Sequence, residues 1–440
     1  MFETKDTPKT VERALLVGAY TAASEKFAAQ SLLEELEELV STLGIPVIDR
    51  MLVFHREAHA RLLLGSGKAA EIADRVKREK LDVVIFDNEL SPSQQRNWED
   101  LTGVAVLDRQ EVILDIFARR AQTREARLQV ELAQLEYSLP RLTRAWGHLV
   151  RQGGGIGARG EGETQLEQDK RRIRLAIDRC KRELLTVREA RATQRKDRKR
   201  TPVPNCAIVG YTNSGKSSLL RRLTGAQVLV EDKLFATLDT TTRKIALPNK
   251  QPLLLTDTVG FVRKLPHRLV EAFNATLEEA ALADFLIHLL DASQPGVVEF
   301  YNTTMKVLGE LKADNKPMIV AFNKIDLIAD RATLAGLRQH FPDGHFLSVK
   351  SGEGLDALVE RMSEFVSNGA TVRRLCIPQS ATELIARLHR QAKVLETKYV
   401  DDSVRMVVLV PARLAAECQE FLAQDGPEKA IATPPSLATN

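Results

Sequence analysis

An α/β multidomain chain is expected, and three observations predict it. Over the first 118 residues, short apolar runs alternate with helix-spaced segments. Two leucine-rich heptad stripes follow, joined by a glycine-dense stretch. Then Gly210-Tyr-Thr-Asn-Ser-Gly-Lys-Ser217 matches the phosphate-loop pattern G-x-x-x-x-G-K-[ST], with a strand-like run before it and an amphipathic helix after it. The expected domains are an N-terminal α/β domain (1–118), an antiparallel two-helix arm (119–200), a doubly wound P-loop domain (201–370), a small C-terminal α+β domain (371–426) and a disordered tail (427–440).

In the first domain, Ala14–Val17, Val47–Val53, Val83–Phe86 and Val104–Leu107 read as strands. Leu32, Leu33, Leu36, Leu39 and Val40 have helical spacing, as does Lys68–Lys80, so the sheet should be largely parallel. In the arm, Leu128, Leu132, Leu135, Leu139 and Leu142 are answered by Ile173, Ile177, Cys180, Leu184 and Val187. Such stripes can zip into a hairpin, with Pro140 ending or kinking the first helix. The connection holds Gly153, Gly154, Gly155, Gly157, Gly160 and Gly162, and reads as a loop. Thr193–Arg200 is almost wholly polar and reads as a linker. In the P-loop domain, Cys206–Val209, Leu253–Leu255, Phe285–Leu290 and Met318–Phe322 are strand-like. The C-terminal pieces are Leu375–Ile377, Ala381–Gln391, Val394–Tyr399, Val404–Val410 and a closing helix at Ala412–Leu422.

Composition fits a globular chain with ample core: 44% of the 440 residues are hydrophobic and 28% charged. Cys180, Cys206, Cys376 and Cys418 lie far apart with no C-x-x-C pair, which argues against zinc and a disulfide framework. No apolar run reaches the ~18 residues of a membrane span, and the first twelve residues carry no secretory core. A cytoplasmic, monomeric protein is expected. The net charge of +4 hides an asymmetry: residues 141–200 hold 18 Lys and Arg against 8 Asp and Glu, a balance of +10. One basic arm on a mildly acidic body suits an acidic partner such as nucleic acid, the alternative being a solvated charged helix.

The loop Gly210–Ser217 should turn its backbone N–H groups toward phosphates, with Lys216 reaching the β- and γ-phosphates and Ser217 ligating Mg²⁺. Asp257-Thr258-Val259-Gly260 ends a strand; the carboxylate can hold the metal through water, and Gly260 lets its N–H approach the γ-phosphate. Lys216 and Gly260 are the candidate catalytic positions. Asn323-Lys324-Ile325-Asp326 ends another strand. Asp326 can accept from guanine N1–H and N2–H₂, a donor pair adenine lacks. Asn323 can tie this loop to the phosphate loop, and the Lys324 stem can cover the base face. Ser348-Val349-Lys350 would bring a backbone N–H to guanine O6, with valine where alanine is usual. Three matched parts in this order predict GTP binding and hydrolysis.

The metal-sensing threonine should lie in Phe235-Ala-Thr-Leu-Asp-Thr-Thr-Thr242, and spacing leaves Thr237, Thr240, Thr241 and Thr242 open. Phe261 stands where a glutamine commonly orients the attacking water, so intrinsic hydrolysis should be slow and a partner should stimulate it, by roughly 10³–10⁵. Asn213 offers an oxygen to K⁺; a loop-stabilising asparagine is the equal alternative. Two look-alikes are set aside. Gly155-x-Gly157-x-x-Gly160 has no preceding strand, and Leu64-Gly-Ser-Gly-Lys68 lacks the spacer and the following Ser/Thr. The histidines, His148 and His267 among them, show no metal spacing.

The chain resembles the HflX family of ribosome-associated GTPases from about residue 12 to 420. The resemblance rests on GYTNSGKSSL (Gly210–Leu219), LFATLDTTTR (Leu234–Arg243), DTVGFVR (Asp257–Arg263), Asp108–Arg120, LQVELAQLEYSLPRL (Leu128–Leu142) and above all GGGIGARGEGETQL (Gly153–Leu166). Thr240 replaces the family's proline. The resemblance implies that Thr237 is the magnesium threonine and that Phe235, Ala236, Thr237, Leu238 and Asp239 contact the guanine nucleotide. It also implies binding to the large ribosomal subunit in the GTP state, with the arm toward the peptidyl-transferase region. Dissociation of stalled ribosomes and release on hydrolysis would follow. A glycine tip bearing Arg151 and Arg159 suits rRNA phosphates. The competing readings are a signalling GTPase whose arm dimerises and a tRNA-modifying GTPase, the latter without a catalytic cysteine pair.

Overall fold

The computed structural model describes residues 11–142, 159–198, 203–225, 234–235, 238–264, 279–367, 371–400, 402–410, 414 and 417–423. The chain forms two compact units. The first holds Met1–Arg191 with Glu231–Asp239 and Val259–Ala275; the second holds Ala192–Val230, Thr240–Thr258 and Thr276–Asn440.

In the first unit, β1 (Ala14–Tyr20), β2 (Val47–Phe54), β3 (Val83–Phe86) and β4 (Ala105–Asp108) form a parallel sheet in the order β2-β1-β3-β4. α1 (Lys26–Thr42), α2 (Ser66–Glu79), α3 (Pro92–Thr102) and α4 (Arg109–Arg120) connect or follow the strands. β1 and β3 are apolar throughout the sheet interior, and Leu15, Val17, Val84 and Phe86 share a core with Ile72, Val76 and Trp98. Ser91 caps α3 and Asp108 caps α4, each accepting from a backbone N–H in the helix's first turn. The boundary expected after residue 118 falls inside α4, which runs on to Arg120.

The strand order reverses between β1 and β3, where open α/β sheets commonly receive ligands. Here the protein's own charges occupy that end of β3. Arg109, 3% exposed, donates to Asp87 (2.7 Å) and to Glu35. Arg263 donates to Glu35 (2.8 Å) and to the Ser31 carbonyl (3.0 Å), and Lys264 pairs with Asp87 (2.7 Å). Burial alone would push the Asp87 carboxyl up, but Arg109 and Lys264 outweigh it and hold it below the usual range. Its stabilising contribution is present above the unfolded value and is lost as pH falls through the lower folded one.

α5 (Arg124–Ser138) and α6 (Arg159–Arg198) meet along the heptad stripes: Leu128, Cys180 and Leu184 are buried together, with Leu132, Leu135 and Val187 beside them. Arg124–Glu183, Arg179–Glu131 and Lys181–Glu136 pair along the same contact. α5 stops at Ser138 and passes into a 3₁₀ turn containing Pro140, as the proline requires. Two expectations are corrected. α6 begins at Arg159, so Gly160 and Gly162 are helical rather than loop, and it continues through the polar stretch to Arg198 instead of yielding to a linker at Thr193. The surrounding Glu, Gln, Lys and Arg are good helix formers, and their summed propensity outweighs the glycine cost.

Asp239 also belongs to this unit. Its carboxylate accepts from Gln122 N (2.9 Å), Thr123 N (3.1 Å) and Thr123 Oγ1 (2.5 Å), immediately before α5. Phe235 packs edge-on to Phe117 at 4.6 Å. The N-cap of α5 is Thr123, whose Oγ1 accepts from Ala126 N, and Asp239 holds that cap in place. Asp239→Asn is expected to lower stability by about 1–2 kcal/mol through the weakened charge-assisted bonds. Faster hydrogen exchange at the Gln122 and Thr123 amides would show it; unchanged exchange there would refute the anchoring role.

The second unit carries a six-stranded sheet in the order β10-β9-β8-β5-β7-β6, parallel except for the β6 edge. The strands are β5 (Asn205–Val209), β6 (Thr241–Ala246), β7 (Pro252–Asp257), β8 (Phe285–Asp291), β9 (Met318–Asn323) and β10 (His345–Phe346). Helices α7 (Lys216–Thr224), α8 (Val297–Glu310), α9 (Arg331–His340) and α10 (Leu355–Ser367) belong to the same domain. Ile208, Leu219, Leu255, Ile287 and Leu358 share its core. β6 takes up Thr241 and Thr242, the end of the threonine-rich stretch. Beyond it, β11 (Thr371–Pro378), α11 (Thr382–Gln391), β12 (Lys393–Val400) and β13 (Ser403–Val410) make an antiparallel β11-β13-β12 sheet with one helix. Where Ala412–Leu422 was expected to be helical, the described residues show a 3₁₀ turn at Gln419–Phe421. The tail 427–440 lies outside the described residues.

Candidate functional site

β5 delivers the chain into the phosphate loop, and α7 leaves it at Lys216. Two glycines are required there. Gly210 (φ +150°) lies against the Leu289 carbonyl, and Gly215 (φ +95°) against Asn323 Nδ2, so neither position has room for a Cβ. Asn213 is exposed and left-handed (φ 60°), a conformation asparagine tolerates; this gives it a structural reason independent of any cation. The Tyr211 ring packs tilted against Phe300, with centroids 4.6 Å apart. The buried hydroxyls of Thr212 and Ser214 have no hydrogen-bond partner among the described residues.

Lys216 is buried and donates to the Tyr211 carbonyl (2.7 Å). Burial pushes its ammonium down to about 8, Asp257 opposing and Lys324 adding to the shift. Arriving phosphate charges favour the protonated form. Nucleotide binding should therefore take up almost no proton near pH 6.5 and roughly half a proton at pH 8, as calorimetry in buffers of different ionisation enthalpy would measure. An uptake independent of pH would contradict this.

Ser217 Oγ donates to Asp257 Oδ2 (2.6 Å), joining α7 to the end of β7. Thr258 Oγ1 donates to the Ile208 carbonyl (2.7 Å), fixing the Asp-Thr-Val-Gly segment to β5 as it leaves the sheet. Val259 and Phe261 are buried, Phe261 to 2% exposure, in the first unit's segment.

Asn323 ends β9 and is tied on both sides. Its Nδ2 donates to the Ser214 carbonyl (2.9 Å), and its Oδ1 accepts from Val349 N (3.0 Å). The base loop and the phosphate loop are thus one hydrogen-bonded body. Val349 sits in the domain core, which explains why valine fits where alanine is usual. Ser348 is buried and Lys350 exposed. Lys324 is left-handed (φ 65°), Ile325 begins a 3₁₀ turn, and Asp326 on that turn is exposed with no side-chain partner among the described residues.

Ala236, Thr237 and Arg151 lie outside the described residues, and nothing of the Arg159 side chain is described. Leu238 is buried, and Phe235 and Asp239 serve the contacts of the first unit given above. Sequence reasoning passed over Asp291, which ends β8 and pairs with Lys324 (2.7 Å). Its signal was the one that marked Asp257: a carboxylate closing an apolar strand. His288, also on β8, is fully buried and stacked on Tyr301. Burial, with the Lys216 charge, pushes it down to about 3, so it is neutral.

A phosphate loop, a strand-end aspartate and an Asn-Lys-x-Asp loop joined to it define a P-loop GTPase domain. Residues 205–324 match the family described as 50S ribosome-binding GTPase. Residues 30–118 and 120–198 match the N-terminal and middle regions of GTP-binding GTPases. GTPase HflX of Akkermansia muciniphila is 51% identical over 96% of this chain and 100% of its own length. GTPase HflX of Escherichia coli is 40% identical over 91% and 94%. A GTP-binding protein from Sulfolobus solfataricus, solved with GDP, is 25% identical over 80% of this chain and 98% of its own, with a TM-score of 0.42. The chain belongs to the HflX GTPase family and is a GTP hydrolase. No helix among the described residues is long and apolar enough to cross a membrane.

Proposed function

We propose that this GTPase binds the large ribosomal subunit in its GTP state, dissociates stalled or idle ribosomes, and is released when ribosome-stimulated hydrolysis gives GDP and phosphate. The observation that carries the reading is a guanine site combined with a long basic helix in one chain. α6 holds 13 Lys and Arg against 8 Asp and Glu, and exposed arginines such as Arg172 and Arg179 suit rRNA phosphates. The printed description of the matching family, 50S ribosome-binding GTPase, supports it. The dimerising-arm alternative loses support because the Leu128–Leu184 stripe is used between α5 and α6 of the same chain.

In this reading the loop N–H groups of Gly210–Ser217 and the Lys216 ammonium hold the phosphates. Asp326 reads the guanine edge, and Lys324 covers the base. Ser217 and Thr237 would hold Mg²⁺, with Asp257 behind a water; the Ser217–Asp257 approach of 2.6 Å fits that donor set. When bound, the ion offsets charge on the β- and γ-phosphate oxygens. Gly260 presents its N–H to the γ-phosphate. Phe261, an apolar side chain, cannot orient water, so the ribosome or a rearranged loop supplies that group. K⁺ at Asn213 is tested by comparing turnover in K⁺ and Na⁺.

The deciding experiment measures GTP turnover with and without purified large subunits, and sedimentation with a non-hydrolysable GTP analogue against GDP. Stimulated turnover and analogue-dependent co-sedimentation are expected, both weakening steeply with salt. Equal sedimentation in both nucleotide states, or no stimulation, would remove the ribosomal role.

A further inference from the structure

We propose that Asp291 is a positioning residue for purine binding. It anchors the tip of Lys324 so that the lysine's methylene chain stands as a fixed apolar wall of the base slot. The proposal deepens the guanine-site reading and rests on it.

A lysine side chain is long and costs rotamer entropy to order. A loose lysine would make a poor wall. Here its ammonium pairs with Asp291 Oδ2 at 2.7 Å, with the aspartate side chain 10% exposed. The anchor is itself fixed: Asp291 Oδ1 accepts from Ser293 N (3.0 Å) and Ser293 Oγ (2.6 Å). Both residues stand on adjacent strand ends. Asp291 is in register with Asn323 across β8 and β9, and Ala292 N donates to the Asn323 carbonyl (2.8 Å). The left-handed backbone at Lys324 turns the chain between Asn323, bound to the phosphate loop, and Asp326, the edge reader. The Asp291 carboxylate therefore fixes a side chain between the two base-reading residues without itself meeting the base. A wall of this kind holds any purine face equally. The choice among purines stays with Asp326.

The test compares Asp291→Asn, Lys324→Met and the double variant in competition against a fluorescent GDP analogue. Competitors are GDP, inosine diphosphate and inorganic tripolyphosphate. Asp291→Asn should weaken GDP and inosine diphosphate by the same factor, about tenfold, as expected for one lost charge-assisted anchor. Tripolyphosphate, which has no base, should compete as before. Methionine keeps an unbranched apolar stem that needs no anchor, so in the Lys324→Met background Asp291→Asn should add nothing. Additive losses, an unchanged GDP affinity, or a parallel loss of tripolyphosphate binding would each overturn the proposal. Failure of the underlying guanine reading shows separately, as an Asp326→Asn variant that still prefers GDP over inosine diphosphate by the wild-type factor.

Discussion

Asp326→Asn should lower affinity for guanine nucleotides by about a hundredfold or more and shift preference toward xanthine nucleotides. In the proposed site the carboxylate would accept two hydrogen bonds, from guanine N1–H and N2–H₂, and a charged acceptor contributes roughly 1.5–3 kcal/mol for each. An amide offers one acceptor and one donor, which matches N1–H and the O2 of xanthine. The fold should be little affected, because Asp326 is exposed on a 3₁₀ turn and makes no side-chain bond among the described residues. Competition with GDP and xanthosine diphosphate measures the switch, and a melting curve separates it from unfolding. A variant with native guanine preference would show that another residue reads the base edge.

Gly215→Ala should weaken every nucleotide, whatever its base. A Cβ at this position meets Asn323 Nδ2, the group that donates to Ser214 O. Asparagine cannot simply swing away, because it is buried and its other end accepts from Val349 N. The backbone adds its own strain at φ +95°. Strain of about 1–3 kcal/mol and a lost buried hydrogen bond of about 1–3 kcal/mol together predict a loss of roughly thirtyfold to ten-thousandfold or more. GDP, GTP and inosine diphosphate should fall together, unlike the Asp326 result. An unchanged affinity would mean that the two loops are not mechanically joined.

Much of the site was legible because its residues are marked by local pattern. Gly210–Ser217 follows an apolar strand and opens a helix; Asp257 and Asn323 each close a strand. These features depend on neighbours a few residues away. Asp291 carries the same mark, a carboxylate at a strand end, yet it lacks a fixed motif around it. Only its pairing with Lys324 gives it meaning. The helical fate of Gly160, Gly162 and Thr193–Arg198 was missed for another reason. Glycine and polar residues signal loops on average, but a 40-residue helix sums many favourable propensities along its length.

The order of strands and helices, the heptad stripes and the nucleotide chemistry were set by short-range residue pattern, since periodicity and strand-end position are local properties. Tertiary structure alone decided which distant groups meet. Asp239 anchors Thr123, the N-cap of α5, from more than a hundred residues away in sequence, and Arg263 and Lys264 seat on Glu35 and Asp87. Asn323 ties the base loop to the phosphate loop. A carboxylate or an amide carries no address in its own neighbourhood; its partner is chosen by packing, which brings the two together only when the chain is folded.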